Sequence, residues 1–442
     1  MKRLIKTKKQ LKESPVYLSD LKHPSKSLEE KLHKLYTLNR DKKIDLSFRP
    51  PYLELLEKLG NPHLNLPPTI HVAGTNGKGS IIATLKSIYE AAGYSVHAYT
   101  SPHLIQFNER IVINGEPIAN EPLESLIDEA LEKNAGASCT FFEITTAIAF
   151  AAFARSPADI CLLEVGLGGR LDCTNVIINP MATIINTIGK DHTEFLGDTY
   201  EQIAAEKAGI MKAQTPCIIG AQNNDKAHQA FESKAKEIGC KLVQHKALLD
   251  HFDPPALKGA HQIGNINTAL TAIEVLQDQL PVTDKHINQG LKSIEWPARM
   301  QKLPGTAFKL HENTTLWLDG GHNEDAGNAI AAHFKNLKAE KPATKIAVIL
   351  CMLKHKNPRE FVDTFIEHCD ELYVTQLPDE PFSLSADELS DAVSNIQHET
   401  SNTYKDALNN AKKQRPDHIL ITGSLYLAGQ ILQDLRDSGH NK

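Results

Sequence analysis

The stretch His71-Val72-Ala73-Gly74-Thr75-Asn76-Gly77-Lys78-Gly79-Ser80 constrains this chain more than any other, because an apolar strand enters a glycine-rich turn that opens directly into a helix. Glycines let successive backbone N–H groups wrap an anion, the helix N-terminus adds its partial positive charge, and Lys78 has the reach to touch β- and γ-phosphates. The pattern predicts a nucleoside triphosphate at Thr75, Asn76, Gly77 and Lys78, with Gly79 and Ser80 opening the helix. Its spacing departs from the usual G-x-x-x-x-G-K-[ST], since only Thr75 and Asn76 separate Gly74 from Gly77. Two other readings stay open. One is a turn that merely joins strand to helix; the other is a GTPase, which would normally carry an Asn-Lys-x-Asp element that the sequence lacks.

From Pro67 onward short β-branched runs alternate with amphipathic stretches, which predicts an α/β fold with a doubly wound, mostly parallel sheet. Strands are expected at 69–73, 95–100, 159–165, 182–187 and 216–220. The first helix should run from Gly79 to Ala92, with Ile81, Ile82, Leu85, Ile88 and Tyr89 on one face and a stop at Gly93. A helix at 265–279 precedes Ile294-Glu295-Trp296-Pro297, where the proline breaks the pattern and a domain boundary is expected. A smaller Rossmann-like α/β domain should follow, with strands at 315–319, 345–351, 371–376 and 418–422 and helices that include 324–337 and 425–435. The expected organisation is a basic, solvated tail over 1–20, a nucleotide-binding domain over 21–295 and a second domain over 296–442.

Composition narrows the function. A net charge of −6 and a pI near 6.4 give no basic field for gathering nucleic-acid phosphates. The seven cysteines are scattered without any C-x-x-C pair, so neither a disulfide framework nor a cysteine zinc site is indicated. Several sit in apolar runs, as in Ile160-Cys161-Leu162-Leu163, which favours a reducing compartment, the cytoplasm. The lysine-rich N-terminus lacks the apolar core of a signal peptide. The longest apolar stretch, 144–154, falls short of the roughly 20 residues that span a bilayer. Neither nucleic acid nor membrane is an expected partner.

Glu164 closes the run 160–163 and precedes Val165-Gly166-Leu167-Gly168-Gly169-Arg170, which puts a carboxylate at the C-terminal edge of a buried strand. Ligands of open α/β sheets bind at that edge, and one or two carboxylates beside phosphate suffice for Mg²⁺. Asp191-His192 follows another strand on the same edge, although most such pairs are turn residues. Lys207, in Ala205-Glu206-Lys207-Ala208-Gly209-Ile210, reads locally as a solvated helix lysine.

Taken together, these segments resemble the folylpolyglutamate synthase and dihydrofolate synthase family of the Mur ligases, over about 44–426. The motifs that carry the resemblance are 74–80, Ser101-Pro102-His103-Leu104, Asn108-Glu109-Arg110-Ile111, Phe141-Phe142-Glu143, 163–175, Asp191-His192 and 206–210. They continue with Trp296-Pro297-Ala298-Arg299, Asp319-Gly320-Gly321-His322-Asn323 and Gly423-Ser424-Leu425-Tyr426. The resemblance implies an ATP-dependent ligase that joins L-glutamate to dihydropteroate, to folate, or to both. It implies that Asn265, Arg299 and Asp319 complete the ATP site, so that both domains contribute to it. One Mg²⁺ would sit on Ser101 and Glu164, and a second on His192 with Lys207, carboxylated to a carbamate. The pteroate end would meet Ile44-Asp45-Leu46, Phe142, Glu143, Arg170, Leu171 and Asp172. Lys78, Lys207 and His322 are the catalytic candidates, and the enzyme is expected to be a monomer. Three departures from the family pattern are a glycine for the usual alanine within 319–323, Glu324 for a common proline, and Cys173 for a frequent alanine.

The implied reaction passes the γ-phosphoryl group of ATP to the substrate carboxylate, and the glutamate amine then displaces phosphate from the acyl phosphate. Domain closure about Trp296-Pro297 would keep water out. The nearest rival is a cell-wall Mur ligase acting on a UDP-muramyl peptide, but fewer than 75 residues precede the loop here and leave little room for a UDP-gripping domain. A nucleotide-binding regulator is the other rival, and it would not need Arg299 or the 319–323 motif.

Overall fold

The computed structural model describes residues 18–38 and 50–440. Ile44, Asp45 and Leu46 lie outside the described residues, as does the tail up to residue 17. The chain divides into two compact units, one holding chiefly Asp20–Ala256 and Gln262–Glu295, the other Leu257–His261 and the chain from Trp296 onward.

The first unit is built on β1 (Thr69–Ala73), β2 (Val96–Tyr99), β3 (Ile111–Ile113), β4 (Glu116–Pro117), β5 (Ile160–Glu164), β6 (Ala182–Ile185), β7 (Pro216–Ile219) and β8 (Lys241–Gln244), in the spatial order β4-β3-β2-β5-β1-β6-β7-β8. All pairings are parallel except β2–β3 and β3–β4. Every residue of β1, β5 and β6 is buried, which explains why these strands read as continuous apolar runs rather than alternating ones. The chain leaves β1 towards β2, returns through β5 on one flank of β1, and crosses to β6 on the other. Strand order reverses there, and the C-terminal edge of such a point is where open sheets bind ligands.

Helices α1 (Lys78–Ala91), α2 (Phe141–Arg155), α3 (Tyr200–Ala208) and α4 (Ala260–Val275) carry the residues that matter below. α2 has no polar stripe: Phe150, Phe153, Ile144 and Ile148 are all buried in one aliphatic and aromatic core with Leu28, Leu32 and Tyr52. This is the apolar stretch that was too short for a membrane. No helix among the described residues is long and apolar enough to cross one.

The second unit holds β9 (Gln301–Leu303), β10 (Thr315–Leu318), β11 (Ile346–Leu350), β12 (Glu371–Val374), β13 (Glu399–Thr400) and β14 (His418–Thr422), ordered β13-β12-β11-β14-β10-β9. Only β9 runs antiparallel to its neighbour. Helix α5 (Glu324–Glu340) follows β10 and α6 (Leu425–Asp437) follows β14. Two parallel-dominated α/β units bear out the expected fold class. The nine strands read from sequence all form, most of them a residue or two shorter, whereas the β3–β4 hairpin, β8, β9 and β13 were not anticipated.

Candidate active site

The phosphate loop leaves β1 at the switch point. Gly77, the N-cap of α1, has φ +80°, and a Cβ there would stand 2.3 Å from Asn265 Oδ1 and 2.4 Å from Asn186 Nδ2. Backbone shape and space both demand glycine. Asn186 Nδ2 donates to Asn76 O at 2.9 Å and to Asn265 Oδ1 at 2.7 Å, and Asn265 Nδ2 in turn donates to Gln262 Oε1 at 2.9 Å. Thr75 donates its N–H to Thr187 O at 3.0 Å and its hydroxyl to Gly189 O at 3.1 Å. The loop is thus fastened to the chain beyond β6 before any ligand arrives. Sequence reasoning missed Asn186; an asparagine just past a strand on this edge is the only local signal for it.

Three ionisable groups crowd the loop. Lys78 Nζ donates to Gly74 O at 3.2 Å and stands 3.8 Å from Glu164 Oε1. Glu164, at the end of β5 and 5% exposed, accepts the N–H of Ser101 on Oε2 at 3.1 Å, which brings Ser101 to the same carboxylate. Lys207 is not a solvated lysine: it is 4% exposed, and its ammonium donates to Gly74 O at 3.1 Å. Burial first, and then the charge of Lys78, bring its pKa from 10.5 down to about 7, against the opposing pull of Asp191 and Asp172. With Gly74, Thr75, Lys78 and Leu196, Asp191 and His192 line one small cleft that also contains Lys207. His192 holds a left-handed conformation at φ 51°, and its side chain is 43% exposed.

Beside this cleft, residues 166–176 form a loop tied to itself. Asp172 is buried and accepts the N–H of Leu167 at 2.9 Å and that of Thr174 at 2.9 Å, together with the Thr174 hydroxyl. Burial raises its pKa, and those donors work against the rise. Phe142 lies over Gly166, where a Cβ would be 2.2 Å from its ring. Its neighbour Glu143 serves the start of α2: Thr140 and Glu143 form a reciprocal capping box. Arg170 forms an exposed ion pair with Glu206 at 2.8 Å, and Leu171 is half-buried.

In the second unit Asp319 follows β10 and accepts the N–H of Met300 at 2.8 Å on one oxygen and that of Gly321 at 2.7 Å on the other. Arg299 donates to Ala298 O at 2.9 Å, and His322 Nδ1 lies 3.0 Å from Gly320 O. Gly321 has no room for a larger residue: a Cβ would sit 2.7 Å from Ala326 Cβ. Asn323 caps α5 and Ser424 caps α6, so the two motifs meet as neighbouring loops, joined by Gly423 N–H to Gly321 O at 3.0 Å.

The phosphate loop at the sheet's switch point, the strand-end carboxylate and the buried lysine all lie within residues 72–248, which match the Mur ligase middle domain. Residues 306–434 match the C-terminal domain of dihydrofolate synthetase. The chain is 33% identical over 416 residues to the dihydrofolate synthase/folylpolyglutamate synthase of Bacillus subtilis, covering 87% of this chain and 94% of that one. It is 32% identical over 418 residues to the folylpolyglutamate synthase of Lacticaseibacillus casei, with 87% and 93% covered. Among solved structures, Escherichia coli FolC in complex with DHPP and ADP superposes with a TM-score of 0.82 at 26% identity, over 93% of this chain and 98% of that one. The chain belongs to the dihydrofolate synthase/folylpolyglutamate synthase family.

Proposed function

We propose that this protein is an ATP-dependent acid–amino-acid ligase that joins glutamate to dihydropteroate and to folates, releasing ADP and phosphate. The observation that carries this reading is the convergence of Lys78, Glu164 and Lys207 on one phosphate loop. A carboxylate cannot expel oxide, but an acyl phosphate expels phosphate readily, so the γ-phosphoryl group of ATP goes first to the substrate carboxylate. The glutamate amine then attacks that carbonyl, and the tetrahedral intermediate collapses with loss of phosphate. Lys78 sits where it can follow the charge of the transferring group. Relatives with similar names support the substrate assignment: one is a folylpolyglutamate synthase, one a dihydrofolate synthetase from Saccharomyces cerevisiae at 30% identity, and one carries both names.

The residues present fit divalent cations. Glu164 ends β5, and Asp191 and His192 line a cleft with Thr75 and Lys78, so oxygen and nitrogen donors stand at the loop where phosphate and water can complete a cation's shell. Glu164 and the Ser101 hydroxyl would hold one magnesium, and His192 with Lys207 a second; bound there, magnesium neutralises the triphosphate. A lysine whose pKa is about 7 is substantially neutral at physiological pH. Its free amine can add CO₂ and lose a proton, giving the carbamate that would ligate metal. Phe142, Leu171 and the loop around Asp172 would receive the pterin. Seven free thiols suit a reducing cytoplasm, and we expect a monomer.

ADP release with magnesium and glutamate, adding dihydropteroate, tetrahydrofolate or a UDP-muramyl peptide in turn, tests the assignment. Release with either of the first two is expected. Release only with the muramyl peptide would move the protein to cell-wall chemistry.

A further inference from the structure

The C-terminal end of α3, which carries Lys207, touches the loop 166–176 backbone to backbone. A Cβ on Gly169 would lie 2.8 Å from Glu206 O and 3.0 Å from Lys207 Cα, and one on Gly209 would lie 2.3 Å from Arg170 Cα. Neither glycine has a positive φ, so what they supply here is closeness rather than an unusual turn. The contact is hydrogen-bonded as well: Arg170 N–H donates at 2.7 Å to Glu206 O, a last-turn carbonyl that also accepts the cap N–H of Gly209 at 3.3 Å.

Asn175 fastens this junction from beneath. It is 8% exposed, and its amide donates to Arg170 O at 3.1 Å and to Gly209 O at 3.0 Å, one carbonyl on each side. Its Oδ1 accepts from Lys212 at 2.9 Å. The same loop reaches β1, because the Thr174 hydroxyl that donates to Asp172 lies 2.8 Å from His71 Nε2. Burial and Lys212 hold that histidine neutral, with a pKa of about 3.

We infer that Asn175 is a positioning residue: by clamping Arg170 to Gly209 it sets Lys207 against the phosphate loop and makes occupancy of the pteroate-side loop felt at the nucleotide. The inference rests on the proposed assignment of residues 170–172 to the pteroate end. A shift of that loop cannot be absorbed locally, because it meets Lys207 through backbone atoms with no intervening side chain to repack. Lys207 in turn donates to Gly74 O, so the junction joins this loop to the phosphate turn.

The test measures the affinity of magnesium·ADP by calorimetry with and without saturating dihydropteroate. Wild type should show a coupling factor of at least about fivefold. Asn175→Leu should reduce that factor towards one, and so should Gly209→Ala, which leaves Asn175 in place and suits a helical φ but forces the two backbones apart. Lys212→Met removes only the outer arm of the clamp and should keep the wild-type factor. The two clamp variants must retain a cooperative melt; a coupling factor equal to wild type in either of them, or no coupling in wild type itself, overturns the inference. Wild type that binds neither ligand would instead overturn the functional reading on which the inference rests.

Discussion

The two units use their polar residues in opposite ways. Around the phosphate loop of the first unit, Lys78, Glu164 and Lys207 come from three separate elements and converge on one place, at the cost of burying a lysine that prefers water. In the second unit, Asp319, His322 and Asn323 come from a single loop and serve backbone groups: Asp319 accepts from Met300 and Gly321, His322 lies against Gly320 O, and Asn323 caps α5. A motif can thus be a chemical device in one place and a scaffold in another. Charges gathered from distant elements are held for a ligand, whereas those gathered from one turn hold the turn.

If that contrast is right, Lys78→Ala should abolish turnover, with a loss of about 1,000-fold or more in ADP release and an unchanged melting temperature. Retained activity would break the comparison at its strongest point. Lys207→Met should cost about 100-fold in kcat. For the wild-type enzyme the rate should climb as pH rises through about 7, where the Lys207 amine loses its proton.

The same substitution has a stability signature with a defined sign. Lys207 has its folded pKa depressed from 10.5 to about 7, so folding must expel a proton in between. Its burial penalty is full below pH 7 and fades as pH rises towards 10.5. Lys207→Met should therefore gain most in melting temperature over wild type at or below neutral pH, and the gain should shrink in alkali. A gain that grew with pH would show that the fold favours the ammonium, with a raised rather than a depressed pKa.

Asp319→Ala sharpens the other side. It leaves the N–H groups of Met300 and Gly321 without their acceptor, and the second unit should lose about 2–4 kcal/mol in a denaturant melt. A variant as stable as wild type but unable to bind nucleotide would make Asp319 a ligand group rather than a brace. The smallest effect belongs to Asn323→Ala, which removes one helix cap and should cost about 1 kcal/mol with kcat nearly unchanged.

How much of this was legible in the sequence follows the same division. The central strands could be read because burial on both faces makes them continuous apolar runs, and the phosphate loop because glycine, lysine and strand are neighbours in the chain. The hairpin of β3 and β4 escaped because its strands span only Ile111–Ile113 and Glu116–Pro117. Lys207 looked solvated because its burial is made by the loop around Gly169, far away in sequence. Asn175 and Asn186 were invisible as organisers for the same reason: each bonds carbonyls or amides brought together only by the fold. Glu143 is the reverse case. Thr140-x-x-Glu143 is a readable capping box, and the structure places its carboxylate at the start of α2.

The proposed reaction phosphorylates the substrate carboxylate before glutamate is joined. Dihydropteroate labelled with ¹⁸O in its carboxylate tests it directly when the released phosphate is analysed by mass spectrometry. Transfer through an acyl phosphate predicts one labelled oxygen in each phosphate formed. Phosphate that carries no label while the amide product accumulates would contradict the account.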